Sequence, residues 1–332
     1  RDLVRSRGLG DVYKRQMLTT SDYLNQIEKG ISELRFPSRP EGLFRPIEYT
    51  LENGGKRLRP VLCLAAADAC GLPPQMAINQ ALGLEMFHNF TLLHDDVMDH
   101  ADMRRGRPTV HCKWNENTAI LSGDAMLTAA TSLVAMEAGE HLGEVLGLFN
   151  LTAMQIYEGQ QYDMDYESRQ DVTVEEYLSM IRLKTSVLLG CACSMGAIMA
   201  DAPKETREAL YDFGAFLGLS FQLRDDYLDT FGDPKVFGKN IGGDIMNDKK
   251  TWLLINAMAD PEMARWLGKP ASSEKVEAVT AIYRRLGLDT KCQEVISAYA
   301  AKAIEALSKA RLSDEAFTFF KELTGRLSGR TK

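Results

Sequence analysis

Six aspartates carry the first chemical signal in this sequence. Asp95, Asp96 and Asp99 lie in DDVMD, and Asp225, Asp226 and Asp229 lie in DDYLD, each at the end of an apolar stretch. On an α-helix, positions i and i+4 stack one above the other. Asp95 therefore points with Asp99, and Asp225 with Asp229. Like charges so placed repel by up to ~4 kcal/mol per pair at ~4 Å and an effective dielectric of about 20. Such a knot calls for a counter-ion. Oxygen-only donors favour Mg²⁺, which takes one or two carboxylates and fills its shell with waters and phosphate oxygens. A single DDxxD is more often a solvated acidic patch. Two of them at the same end of two apolar helices can face one another across a cavity.

The cations are placed as unusually as the acids. Lys56, Arg57 and Arg59 follow Gly54-Gly55, Arg104 and Arg105 follow the first knot, and Lys184 interrupts an apolar helix. Lys239 and Lys249 flank Asp244 in a glycine-rich segment. Carboxylate-bound metal together with separate Lys/Arg clusters suits two polyanionic groups, one bridged by metal and one clamped by basic side chains. The helices between are apolar, so the rest of the ligand is a hydrocarbon.

The elements that must position these groups read as helices throughout. Leu24, Ile27, Ile31 and Leu34 recur at helical spacing from Leu18 to Leu34, with Thr20, Ser21 and Asp22 as N-cap candidates. Further helices are expected over 43–51, 61–69, 76–98, 117–138, 142–166, 174–200, 204–231 and 248–258, with two or three more to about Leu327. No stretch alternates as a strand does. The expected architecture is all-α: a single-domain bundle of about ten to twelve helices around a deep central cavity, its inner helices apolar on most of their circumference.

Composition narrows the partners. The net charge of −7 argues against nucleic acid. The six cysteines lack zinc-site spacing, and a chain of 332 residues needs no disulfide staples, so a reduced, cytoplasmic protein is expected. The longest nearly apolar run, Val187 to Ala200, is shorter than the ~20 residues of a membrane span, so none is expected. Residues 1–16, RDLVRSRGLGDVYKRQ, lack helical periodicity and a signal-peptide core. They are expected to be a non-native or disordered leader, with the functional domain over 17–332.

Taken in order, GGKRLRP (54–60), His88 ahead of LLHDDVMD, RRGRPT (104–109), Lys184-Thr185, FQLRDDYLD (221–229) and GKNIGGDIMNDKKT (238–251) resemble the trans-isoprenyl diphosphate synthases, the polyprenyl synthetase family. The resemblance covers about 200 residues. It implies a prenyltransferase that joins isopentenyl diphosphate to an allylic diphosphate (dimethylallyl, geranyl or farnesyl), head to tail, releasing pyrophosphate. By that resemblance Asp95, Asp99 and Asp225 bind Mg²⁺, three ions per active site with substrate present, and Asp96, Asp226 and Asp229 are outer partners or further ligands. Arg104, Lys184 and Lys239 hold the allylic diphosphate and Lys249 closes over it. Thr185 and Gln222 stabilise the carbocation. Lys56, Arg59, His88 and Arg105 hold isopentenyl diphosphate. A homodimer is implied as well.

Other polar groups have simpler readings. Arg57 faces solvent. His94, His100 and His111 are outer or surface groups, since the two Glu-x-x-His motifs that a di-iron bundle requires are not both present. Gln160, Gln161, Asp163 and Asp165 are polar lining or helix surface, and Cys191 and Cys193 are packing. In the family, a bulky residue on the helix of the first motif stops the growing tail. Phe90 lies about 7.5 Å below Asp95 and Phe87 about 12 Å below, at ~1.5 Å per residue. These two form the chain-length wall, giving a short product, C20 in preference to C15. The competing readings are a class I terpene cyclase and a non-catalytic subunit of a heteromeric prenyl synthase. A cyclase has no use for a second diphosphate clamp, and silent subunits lose acidic knots that are intact here.

Overall fold

The computed structural model describes residues 16–233 and 241–329. Lys239 and all but the last residue of the expected leader lie outside the described residues. The N-cap of α1 (Thr20–Glu33) is Thr19, rather than any of the three candidates read from sequence. Its hydroxyl accepts from the Asp22 N–H at 3.2 Å, while the Asp22 carboxylate accepts from the Thr19 N–H at 2.9 Å. This reciprocal arrangement satisfies two otherwise unpaired donors. Helices α2 (Glu41–Leu51), α3 (Leu58–Ala69) and α4 (Ile78–Met98) follow. A two-residue antiparallel pair, β1 (Met103–Arg104) and β2 (Arg107–Pro108), then turns the chain back. Next come α5 (Val110–Lys113), α6 (Glu116–Ala135), α7 (Leu142–Ser168), α8 (Val174–Ile181), α9 (Val187–Met199) and α10 (Lys204–Phe231). Helices Gly243–Met246, Trp252–Ala257, Ser273–Arg285, Leu288–Lys309 and Asp314–Ser328 complete the described chain.

Every residue of α9 is buried, which is why its sequence is apolar on all sides. It lies between α3 and α10, while α4 packs on α6. The helix α10 runs through both apolar clusters of the bundle. Leu210, Phe213 and Leu217 belong to the larger one. Leu219 and Leu223 join Tyr166, Tyr177, Trp252, Tyr283 and Ile296 in the smaller. The acidic end of α10 thus emerges from packing that fixes its direction.

Two expected helices are broken. Residues 174–200 are interrupted by a π-helical turn, Arg182–Ser186, a feature that widens the helix locally and is common at functional sites. The expected helix over 248–258 is really a short turn, Gly243–Met246, followed by Trp252–Ala257. Asp248 takes φ +49 between them, and Thr251 restarts the helix by accepting from the Leu254 N–H.

All six cysteines are free. By length and hydropathy alone, Glu116–Ala135 and Val174–Met199 qualify as membrane spans, which counting only uninterrupted apolar residues did not reveal. The second is 78% buried inside the bundle and is a core helix; the first is 39% buried.

Candidate active site

The first acidic knot occupies the last turn of α4, with Asp99 as its C-cap. Arg104 reaches back from β1. Its Nε donates to Asp96 Oδ1 at 2.7 Å, and its Nη2 lies 3.6 Å from Asp95 Oδ2. Asp96 is only 5% exposed. Burial pushes its carboxyl upward, and the Arg104 guanidinium opposes the shift. Asp99 is pushed up to about 6, first by loss of hydration and then by the charge of Asp95.

The π turn places Lys184 beside this knot. Its Nζ donates to Asp163 Oδ2 at 2.6 Å and to Asp95 Oδ1 at 3.2 Å. Burial works against the ammonium, but Asp163 and Asp95 outweigh it and hold Lys184 above its ordinary range. The approach depends on Gly159, one turn before Asp163 on α7, where a Cβ would collide with the Lys184 backbone. Asp163 is thus polar lining paired with Lys184 beside the first knot, and not open helix surface. The one sequence signal was the Gly159–Asp163 spacing of i,i+4, which does not say what lies opposite.

The second knot is held from behind. Asp226, 5% exposed, accepts from Gln222 Nε2 at 2.8 Å and from the Tyr177 hydroxyl at 2.5 Å. Thr185 Oγ1 donates in turn to Gln222 Oε1 at 3.0 Å. Tyr177 was missed by sequence reasoning, because nothing at residue 177 announces a partner at 226. Asp229 accepts from the Asp244 N–H at 2.9 Å, and burial raises its carboxyl. Burial pushes Asp244 up to about 7 against the charge of Lys249, with Asp226 and Asp229 adding to the rise.

Lys249 joins the two halves. Its Nζ lies 3.7 Å from Asp244 Oδ1. Against the cost of burial, Asp244, Asp226, Asp163 and Asp95 together hold its ammonium above the ordinary range. Carboxylates of both knots act on this one cation, so the two motifs converge.

A separate cationic patch lies beside the first knot. Arg59 has a buried Nε without a hydrogen-bond partner. Burial lowers it to about 10, with Glu85 opposing and Arg105 reinforcing the shift. A buried unpaired donor in a cationic patch is a place for an anion. His88 is held well below its ordinary range by burial and then by Arg59 and Arg105, so its imidazole is neutral near pH 7. Arg105 donates from Nη1 to the Gly54 carbonyl, and Lys56 Nζ sits 5.2 Å over the Phe221 ring.

Arg57, expected in solvent, is 3% exposed. Its Nε, Nη1 and Nη2 donate to Glu28, Glu85 and the Leu51 carbonyl, each at 2.8 Å. The cause is local backbone: Arg57 is the N-cap of α3 at φ 45, and this left-handed residue turns its side chain inward.

Among the described residues, no three of His, Cys, Asp and Glu gather tightly enough to enclose a metal ion unaided. The oxygen-only donors suit an ion that takes one or two carboxylates and draws its other ligands from water and phosphate. His94 Nε2 lies 3.0 Å from the Ile120 carbonyl oxygen, so it is occupied away from the knot. On the apolar side, Phe87 and Phe90 are 0% and 5% exposed, with ring centroids 5.5 Å apart.

A helical bundle that brings two carboxylate knots toward one shared lysine, beside a separate cationic patch, is the class of arrangement that suits an enzyme acting on diphosphates. The comparisons make this particular. The chain belongs to the polyprenyl synthetase family, whose model matches residues 40–286. It is 39% identical over 266 residues to the geranylgeranyl diphosphate synthase of Methanosarcina mazei, covering 79% of this chain and 82% of that one. A crystal structure of a geranylgeranyl pyrophosphate synthase superposes with a TM-score of 0.91 at 41% identity, covering 95% of this chain and all of the other. The polyprenyl synthase of Caulobacter crescentus, solved with calcium and isoprenyl diphosphate, gives a TM-score of 0.84 at 28% identity, with 96% and 100% covered.

Proposed function

We propose that this protein is a short-chain trans-isoprenyl diphosphate synthase that condenses isopentenyl diphosphate with an allylic diphosphate and makes chiefly the C20 product. The observation that carries the reading is the convergence of Asp95 and Asp226, from motifs far apart in sequence, on Lys249, with the buried Arg59 Nε left without a partner in the separate cationic patch. Asp95, Asp99 and Asp225 would hold Mg²⁺, while Asp96, Asp226 and Asp229 orient them from behind. When bound, the metal neutralises charge that develops on the leaving diphosphate.

The chain's own residues do the rest. Lys184, Arg104 and Lys249 present cations to the allylic diphosphate, and Lys239, outside the described residues, is assigned with them from the motif alone. As the allylic C–O bond breaks, these fixed charges stabilise the departing pyrophosphate more than the intact ester, which lowers the barrier. The Thr185–Gln222 pair would turn its oxygen dipoles to the allylic cation. Lys56, Arg59, His88 and Arg105 hold isopentenyl diphosphate, with His88 donating as a neutral imidazole. The alkene then attacks the allylic carbon, leaving a tertiary cation on the isopentenyl unit, and the carbon beside that cation loses a proton to pyrophosphate to form the new double bond. No side-chain nucleophile is required.

The C20 assignment is supported by Phe90 and Phe87 below the first knot and by the similarity to geranylgeranyl diphosphate synthases. A homodimer is proposed as well. Apolar Ile120 and Leu121 on α6, and Leu151 and Met154 on α7, are exposed on two neighbouring helices and offer a face for it. The test is incubation with Mg²⁺, isopentenyl diphosphate and primers of rising length. Pyrophosphate release with a C20 main product is expected, and no release with any primer from folded protein refutes the reading. Unchanged product length in the double variant Phe87→Ala, Phe90→Ala would refute the wall.

A further inference from the structure

We propose that Lys275 is a positioning residue that sets the turn carrying Lys249, so that the Lys249 ammonium meets carboxylates of both knots. This rests on the prenyl-transfer reading above. Lys275 lies in the first turn of the helix Ser273–Arg285, whose N-cap, Ser272, accepts from the Lys275 N–H at 3.1 Å. The residue is 1% exposed. Burial costs an ammonium its hydration, and a cation near a helix N-terminus works against the helix dipole. An apolar side chain would fill the space without either cost. What a lysine adds is three donors.

Every one of those donors has an acceptor, and two of the acceptors belong to one turn. Lys275 Nζ lies 2.8 Å from Asp248 Oδ1, and it donates to the Met246 carbonyl at 3.3 Å and the Lys269 carbonyl at 3.0 Å. The other carboxylate oxygen, Asp248 Oδ2, accepts from the Gly268 N–H at 2.8 Å. Asp248 sits at φ +49, a left-handed conformation that a non-glycine residue keeps only where its surroundings hold it there. The neighbour of Lys275 grips the start of the same segment. Gly242 has φ +87, and a Cβ added there would lie 2.6 Å from Val276 Cγ1.

The held segment delivers two groups to the site. The Asp244 N–H donates to Asp229 Oδ2 at 2.9 Å, which docks the segment on the second knot. Lys249 follows Asp248 directly; its N–H donates to the Asp244 carbonyl at 2.9 Å, and its Nζ lies 3.7 Å from Asp244 Oδ1. Adjacent residues thus divide the work, Asp248 taking the anchor and Lys249 the carboxylates. Lys250 Nζ ties the turn to the end of α7 through the Asp248 and Glu167 carbonyls, at 3.2 and 3.5 Å. The partners of Lys275 are Met246, Asp248 and Lys269, so it acts on the site through the turn.

The experiment is a double-mutant cycle of Lys275→Met and Lys249→Ala, read by steady-state pyrophosphate release with Mg²⁺, isopentenyl diphosphate and an allylic primer. Lys275→Met alone should lower kcat/KM for the allylic diphosphate about tenfold and leave KM for isopentenyl diphosphate within about twofold. In the Lys249→Ala background the same change should cost less than about twofold, because the group it positions is gone. Calorimetric binding of pyrophosphate with Mg²⁺ should weaken in the same pattern. Equal losses in the two backgrounds overturn the inference, since a merely structural role is indifferent to Lys249. A folded Lys275→Met enzyme with wild-type kcat/KM overturns it as well. If Lys275→Met does not fold, the double variant Lys275→Met, Asp248→Asn leaves no buried carboxylate unpaired and carries the same expectation and the same refutation. A wild type that releases no pyrophosphate with any primer refutes the transferase reading and this inference with it. A wild type that condenses while the cycle is additive refutes this inference alone.

Discussion

Replacing Asp163 by Asn tests whether Lys184 is poised between two carboxylates. At 2.6 Å the Lys184–Asp163 pair carries a Coulomb term on the order of 6 kcal/mol at an effective dielectric of about 20, before desolvation is subtracted. The Lys184–Asp95 pair at 3.2 Å carries about 5 kcal/mol on the same scale. The two are nearly balanced, so the lysine of the Asn variant turns wholly to Asp95 and its charge stays compensated. The expected stability loss is therefore small, about 1 kcal/mol, instead of the ~3–5 kcal/mol of a buried charge left alone. The cost falls on function, because Asp95 is then occupied by an ammonium and less available to Mg²⁺. A ten- to hundredfold lower kcat is expected, equivalent to about 1.4–2.7 kcal/mol of barrier, with a higher Mg²⁺ requirement and an unchanged KM for isopentenyl diphosphate. Steady-state pyrophosphate release titrated with Mg²⁺, alongside thermal unfolding, measures all of these. A folded Asn variant with wild-type kcat and Mg²⁺ dependence would refute the reasoning.

Three further outcomes are expected. Arg57→Ala leaves Glu85 buried without its main cation and should lose about 3 kcal/mol in urea unfolding; a loss below about 1 kcal/mol would mean the pair is dispensable. Asp95→Ala should lower kcat by at least about two orders of magnitude, while Asp124→Ala, with a side chain 61% exposed, should leave it unchanged. Asp99 and Asp244 have carboxyls raised to about 6 and about 7. A carboxyl raised on folding contributes stability that is present below its unfolded value, near 4, and lost as pH rises through the folded one. The metal-free protein should therefore melt at lower temperature at pH 8 than at pH 5, and Mg²⁺ should flatten the trend. A melting temperature that climbs over that range without metal contradicts the carboxylate crowding.

The sequence by itself determined the helices and the chemistry they carry. Periodicity marked α10 at its observed bounds, and the two DDxxD motifs with their cations named the ligand classes, because side-chain type and spacing along one helix are local properties. Which groups meet was decided only in three dimensions. Asp163 entered the site because Gly159 lets α7 touch the π turn. Arg57 left the solvent because one left-handed residue redirected it. Tyr177 gained its partner, Asp226, from a helix remote in sequence. A helical pattern fixes which face is apolar, but not which neighbour crosses it or at what height. Those depend on backbone contacts between helices, and they set every partner of the six aspartates beyond their own turn.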